Sequence, residues 1–444
     1  MNAKARIAVA QHLSTADTDL SPRAAGAGAK LSLGSLPMTV TGSWERAARG
    51  AMLLGPDGTL SPTIFAEMSA LAVATGAINL GQGFPDEDGP PQVLEAAKRA
   101  ITDGLNQYPP GLGMPVLRQA IAEHQRRFYG LTIDPDNQVL VTAGATEALA
   151  ATILALTDDG DEVVTFEPFY DAYAAAIALG RATQTTVPLR APHFLPDHDD
   201  IRSAFTDRTR VIIVNSPHNP TGAVFPRATL ELIVELAERH NAIIVTDEVY
   251  EHLTFGAEHV PISTLPGAFG RTVTISSGGK TFSATGWKIG WIIAPSELLK
   301  PIVAVKQYLT YVNGAPFQPA IAVGLGLPMS YFNDLAAGLK AKRNILTAGL
   351  IAAGFGVTSP AAGYFVIADA APLGVSNAAQ FCRALPGLAG VAAVPVTAFV
   401  REEHRAGYAT LVRFAFCKRT DVLARAAAQL AELAESRTIS NASQ

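Results

Sequence analysis

Between residues 138 and 276 the chain keeps returning to one unit: a short apolar run, a polar or aromatic word, then a loop or a stretch with helical periodicity. The runs are Gln138–Thr142, Asp161–Phe166, Val211–Asn215, Ala242–Thr246 and Thr272–Ser276, and the clearest helices are Thr146–Leu156 and Ala228–His240. A strand with one wet face alternates apolar and polar residues, whereas a strand covered on both faces is apolar throughout. The pattern therefore predicts an α/β fold whose parallel or mostly parallel sheet lies between layers of helices. Ligands in such sheets sit beyond the carboxyl ends of the strands.

Those ends read AGATEA (143–148), EPFYDAY (167–173), NSPHNPTG (215–222), DEVYEH (247–252) and SSGGK (276–280). After about residue 315 the pattern changes to long helices around 318–355 and short strands at YFVIAD and VRFAF, which predicts a second, smaller α+β domain. A chain of 444 residues exceeds what one core usually serves, in keeping with two domains. The expected division is a flexible, Ala/Gly/Ser/Thr-rich extension over 1–58, an arm over 59–90 that joins the smaller domain, a large domain over 91–315 and a small one over 316–444.

Several function classes drop out. A net charge of −5 argues against a nucleic-acid partner. The two cysteines, Cys382 and Cys417, form no C-x-x-C pair, so neither a disulfide framework nor a metal site is expected. No apolar run approaches the roughly 18 residues of a membrane span, and the N-terminus lacks the apolar core of a signal peptide, which points to a cytoplasmic protein without a membrane partner. Residues 279–281 spell GKT, yet the position a Walker motif requires to be glycine is Thr274. No strand leads into G-x-G-x-x-G, which removes a dinucleotide dehydrogenase. The first 58 residues hold no basic helix-turn-helix, which removes a cofactor-sensing regulator.

The strand-end words carry specific chemistry. Lys280 stands among glycines and small hydroxyls at a strand end, where a largely apolar pocket would depress its pKa and suit it to bond a carbonyl and shuttle protons. Asp247, which could equally cap a helix, gains a task beside such a lysine, because a carboxylate can keep a pyridine nitrogen protonated. Tyr250 could reach a ring hydroxyl. Asn219, braced by Pro217 and Pro220, could present its amide to a ring oxygen or a substrate carboxylate, with His218 left structural. Gly144, Ala145 and Thr146 open a helix directly after a strand and form an anion cradle, with Ser277 and Lys288 as further phosphate donors. Tyr170, or else Phe169, could stack on an aromatic ring. Arg413 alternates onto the face of its strand opposite Phe414 and Phe416, where its planar fork suits an α-carboxylate unless it reaches solvent at a sheet edge.

Taken in order, NLGQGFPDEDGPP, NQYPPGLG, VTAGATEAL, EPFYDAY, NSPHNPTG, TDEVYEH, SSGGKTFSATGWKIGW and LVRFAFCK resemble the fold-type I, class I/II aminotransferases that use pyridoxal 5′-phosphate, from about residue 61 to about 433. The resemblance implies a seven-stranded sheet in the large domain. It implies that Lys280 carries the cofactor aldehyde, Asp247 faces the pyridine nitrogen, Tyr250 and Asn219 bond the ring hydroxyl and Tyr170 stacks on the ring. It implies a phosphate cup of Gly144, Ala145, Thr146, Ser277 and Lys288, completed by Tyr108 from the neighbouring subunit of a homodimer, and an α-carboxylate clamp of Arg413, Asn219 and the Gly83 backbone. The implied reaction is ping-pong transfer of an amino group between an L-amino acid and a 2-oxo acid.

Within that family the words are most similar to actinobacterial N-succinyldiaminopimelate aminotransferases, which implies N-succinyl-LL-diaminopimelate and 2-oxoglutarate as substrates in lysine biosynthesis. Methionine, glutamine and kynurenine aminotransferases share most of them, and a cysteine-S-conjugate β-lyase would use the same site. Phe84, Tyr308 and Tyr311 are the candidate side-chain-pocket positions.

Overall fold

The computed structural model describes residues 40–55 and 57–442, with side chains to residue 433; the expected N-terminal extension lies outside the described residues up to residue 39. Edge to edge, the large sheet runs Val139–Ala143, Ile289–Ile293, Thr272–Ser277, Ile243–Asp247, Thr209–Asn215, Glu162–Glu167, Thr183–Pro188. All are parallel except Ile289–Ile293, which runs against both its neighbours. Successive residues of one strand enter opposite cores, as the pleat requires. Val211 and Ile213 share a core with Leu149, Ile153 and Ile177, while Ile212 and Val214 share another with Leu230, Ile233 and Leu236.

Two of these strands are not among those the apolar runs predict. Thr183–Pro188 (TQTTVP) is an edge strand whose residues are mostly part-exposed, so threonines suffice there. Ile289–Ile293 emerges from the short 3-10 helix Thr285–Trp287 through Lys288, whose φ of 54° is left-handed, and that turn hides the strand inside a motif.

A second, antiparallel sheet runs Val394–Pro395, Leu411–Ala415, Phe365–Asp369, Gly356–Val357. Leu346 and Leu350 of helix Met329–Ala352, Leu385 of Ala378–Ala389 and Leu423 of Thr420–Ala442 share one core with Val366, Val412 and Phe414 of this sheet. Ile78–Asn79 pairs in parallel with Val391–Ala392, and the Ala415 amide donates to the Leu80 carbonyl. This pairing lays the loop carrying Gly81 and Gly83 along the small sheet.

Helix Ser43–Gly50 falls within the stretch expected to lack order, and it packs on helix Asp171–Leu179. A Cβ on Gly50 would lie 2.7 Å from the Ala174 carbonyl oxygen, so the two backbones touch. So short a helix is marginal in isolation, and tertiary packing rather than local propensity orders it. Among the described residues no helix is long and apolar enough to cross a membrane.

Candidate active site

The carboxyl ends of the central strands converge on a cavity of about 180 Å³. Gly144, Ala145, Thr146, Tyr170, Asn219, Asp247, Tyr250, Ser277, Lys280 and Lys288 all line it. Asp247 is the last residue of a buried strand, and Lys280 sits in the one-turn helix Gly278–Thr281 that follows the next. The β-sheet therefore sets both the spacing and the direction of these two groups.

Burial raises the pKa of Asp247, a tendency resisted by the hydrogen bond from Tyr173, whose hydroxyl lies 2.7 Å from Oδ2, by the Val249 amide and by the charge of Lys280. Burial likewise holds the Lys280 amine below the usual lysine range; Arg413 and Lys288 add to this, while Cys417 and Asp247 oppose it. Lys280 Nζ donates to the Gly83 carbonyl at 3.3 Å and lies over the rings of Tyr250 and Tyr364 at 5.8 and 5.6 Å. The Tyr364 hydroxyl donates to the Lys280 carbonyl at 2.6 Å and anchors the lysine backbone. Burial also pushes the Tyr250 phenol well above its ordinary range, so it stays a neutral donor.

At the other end of the cavity, helix Gly144–Leu156 begins with Gly144 at φ +76°. A Cβ there would stand 3.1 Å from Lys288 Nζ, and one on Gly290 would stand 2.5 Å from the Gly144 carbonyl carbon. The absence of side chains keeps open a cradle formed by free helix N–H groups and an ammonium, the surroundings an anion selects.

Arg413 is buried at the centre of its strand, not at an edge, and its guanidinium lies 4.0 Å from the centre of the Phe365 ring and 4.7 Å from that of Phe399. Its Nη2 donates to the Gly81 carbonyl at 2.8 Å, its Nη1 to Asn219 Oδ1 at 3.5 Å, and its Nε has no partner among the described residues. Burial pulls its pKa down to about 10. Its hydrogen-bond partners are neutral, and although the Asp171 carboxyl opposes the cost of burial, an anion bonded to the guanidinium would offset that cost further.

Phe169 lies in the core behind the sheet, which leaves Tyr170 as the aromatic in the cavity. His218, buried and neutral with its pKa lowered to about 3, pairs with Thr221. Tyr108 is 83% exposed and packs edge-on against Tyr311, outside the cavity, and Phe84, Tyr308 and Tyr311 do not line it either.

Three contributors escape motif reading: Tyr173, Asn215 and Thr285. Tyr173 follows Tyr170 by one helical turn, a spacing that could have flagged it. Asn215 ties the site together, donating to the Asp247 carbonyl at 2.8 Å and to that of Pro217 at 3.1 Å and accepting from the Asn219 amide at 2.7 Å. Asn219 is thus braced by a second asparagine as well as by its flanking prolines. Thr285 lines the cavity from the turn before Lys288, with no distinguishing local signal.

A buried amine facing a buried carboxylate, in the crevice of a mostly parallel sheet and beside a phosphate-sized cradle, defines a fold-type I pyridoxal-phosphate enzyme. The family model for aminotransferase class I and II matches residues 75–430, and the chain belongs to that family. The "Probable N-succinyldiaminopimelate aminotransferase DapC" of Mycobacterium tuberculosis is 51% identical over 384 residues, 84% of this chain and 96% of that protein. The solved N-succinyldiaminopimelate aminotransferase of Mycobacterium tuberculosis matches with a TM-score of 0.82 over 84% of this chain and 97% of that one. The methionine aminotransferase of Escherichia coli (strain K12) is 38% identical over 377 residues, 84% of this chain and 96% of its own. The protein is therefore an aminotransferase, with pyridoxal phosphate as its cofactor and amino acids and oxo acids as its substrates.

Proposed function

We propose that this aminotransferase transfers the amino group of N-succinyl-LL-diaminopimelate to 2-oxoglutarate, in lysine biosynthesis. The 51% identity to a relative of that name, over nearly its whole length, carries the proposal. Pyridoxal phosphate, when bound, supplies an aldehyde for amines and a ring that draws electrons from the α-carbon. The residues present suit it. Asp247 is reluctant to ionise unless a positive charge lies beside it, and a protonated ring nitrogen would be that charge. The Gly144 cradle with Lys288 and Ser277 would hold the phosphate, Tyr170 would cover the ring, and Tyr250 and Asn219 would bond its hydroxyl. Lys280, whose amine burial holds below the usual lysine range, can bond the aldehyde and move a proton at the substrate α-carbon. Arg413, with Asn219 and the Gly83 backbone, would clamp the α-carboxylate. On this reading residues 91–315 hold the cofactor, while the arm (59–90) and residues 316–444 bring Gly83 and Arg413 to the substrate.

The working unit in this proposal is a homodimer. A tyrosine that completes a neighbour's phosphate site must be exposed on its own copy, as Tyr108 is. Two buried, unpaired thiols, Cys382 and Cys417, support a reducing, cytoplasmic setting. The test follows the visible absorbance of the purified holoenzyme as single amino acids are added. N-succinyl-LL-diaminopimelate and glutamate should convert the cofactor far faster than methionine, glutamine or kynurenine. If one of the latter three wins, the substrate assignment falls and the family remains.

A further inference from the structure

Outside the cofactor cavity three side chains able to hold a metal converge: His124 on helix Pro115–Tyr129, and Glu251 and His252 in the turn after the strand that ends at Asp247. One ligand atom from each lies within 4.8 Å of the other two. His124 Nε2 and His252 Nε2 face each other at 2.7 Å, so at most one of them carries a proton. Burial lowers the pKa of both rings, that of His252 to about 3, and both are therefore neutral at pH 7. Glu251 behaves in the opposite way. Burial pushes its carboxyl up, but His124, His252 and the hydrogen bond from Tyr129 outweigh that and hold it below the usual range. Tyr129 Oη donates to Glu251 Oε2 at 2.7 Å and Ser276 Oγ to Oε1 at 2.9 Å, and among the described residues no lysine or arginine pairs with this carboxylate.

A buried anion without a counter-cation is costly, and one carboxylate with two neutral imidazoles is a ligand set that zinc takes with a fourth position left to water. The two hydroxyls on Glu251 match the outer hydrogen bonds that orient a metal-binding carboxylate. Phe128 lies 4.6 Å from both imidazole rings and Phe332 lies 4.4 Å from that of His252, an apolar wall that limits competition from water. We propose that His124, Glu251 and His252 form a binding site for one divalent transition-metal ion of the zinc class. At Zn–N bonds of about 2.0–2.1 Å and tetrahedral angles the two nitrogens would stand about 3.3 Å apart, so a small rotation of either ring admits the ion. His252, the least buried of the three, gives the way in. The ion would tie helix Pro115–Tyr129 to the turn that carries Asp247 and Tyr250, bracing one wall of the cofactor site without entering the chemistry. The site uses no cysteine, so the spacing of Cys382 and Cys417 gives no sign of it.

The test takes holoenzyme stripped of metal with a chelator, titrates it with Zn²⁺ or Mg²⁺, and measures bound metal by equilibrium dialysis together with the thermal midpoint. Wild type should bind one Zn²⁺ per chain, gain thermal stability from it and show no matching response to Mg²⁺. Loss of an outer hydrogen bond costs metal affinity roughly 10- to 100-fold, so Tyr129→Phe, which spares all three ligands, should weaken Zn²⁺ binding about 10-fold. His252→Gln removes a ligand and should cost roughly 100-fold or more, and the thermal gain with it. The visible absorbance of bound pyridoxal phosphate shows that each variant is folded. A wild-type chain that takes up no Zn²⁺, or takes up Mg²⁺ equally well, overturns the proposal and leaves a hydrogen-bonded histidine pair. So does a His252→Gln variant with wild-type affinity, since the ion would then rest on other groups. Should His252→Gln fail to fold, Tyr129→Phe decides the matter: an unchanged Zn²⁺ affinity there overturns the assignment.

Discussion

The Tyr173 hydroxyl donates to Asp247 Oδ2 at 2.7 Å, within a region where both side chains are buried. This bond favours the ionised carboxylate against the burial that disfavours it. Tyr173→Phe should therefore raise the pKa of Asp247 and loosen the cofactor, with a stability cost of about 1 kcal/mol. Absorbance titration of the cofactor-free protein with pyridoxal phosphate, alongside urea unfolding, measures both. An unchanged cofactor affinity would show that Asp247 does not depend on this support.

Lys280 should cost the empty protein stability. Its folded pKa lies below its unfolded value, so the unfolded chain binds the proton more readily. The cost is full below the folded pKa and vanishes as pH rises to the unfolded value near 10.4. Cofactor-free Lys280→Met should thus be more stable than wild type at neutral pH, by about 0.5–2 kcal/mol, with the advantage narrowing toward pH 10.4. The same variant should lose roughly 10³-fold or more in turnover. Urea midpoints across pH, and steady-state rates, check the two halves separately.

Gly144→Ala tests the cradle. A left-handed φ of +76° costs a non-glycine residue about 1–2 kcal/mol, and the new methyl would press on Lys288 Nζ. Weaker retention of pyridoxal phosphate on dialysis is expected, with kcat nearly restored by excess cofactor. A loss of kcat that saturating cofactor does not relieve would argue against a phosphate role.

Arg413→Lys keeps the charge but loses the planar fork and its contacts with the Phe365 and Phe399 rings. The expected result is a fall of roughly 30-fold in kcat/KM for amino donor and oxo acceptor alike, the equivalent of about 2 kcal/mol. An effect on only one of the two would mean that the clamp is not shared.

Tyr108→Phe tests the partner's contribution. Tyr108 lies outside the cavity of its own copy, so an isolated chain should not notice the lost hydroxyl. Cofactor affinity is expected to fall several-fold in a species that sediments as two chains. Normal affinity, or a one-chain mass, would remove the tyrosine from the site.

The large sheet was legible because strands dry on both faces have to be apolar, and Val211–Asn215 or Ile243–Asp247 needs no neighbour's help to announce that. The polar edge strand Thr183–Pro188 and the turn-masked Ile289–Ile293 were not legible, since one has a relaxed burial requirement and the other is embedded in a motif. Lys280, Asp247 and Asn219 stood out because chemistry-bearing side chains in glycine- and proline-shaped strand ends are locally unusual. Thr285 did not, because nothing in its own segment distinguishes it from a packing residue, and Tyr173 showed only its one-turn spacing from Tyr170, which packing residues share.

Residue order alone therefore determined the fold class and the chemical inventory, both of which rest on short-range pattern: burial periodicity, backbone freedom and the functional groups at strand ends. Only the folded molecule decided which inventory members meet. Asn215 and Asp247 lie 32 positions apart, Lys280 and Gly83 197, and Arg413 and Gly81 332. Contacts over such separations depend on sheet order and domain packing. So do the pKa values of Lys280, Asp247 and Arg413, because desolvation comes from residues brought in from elsewhere in the chain.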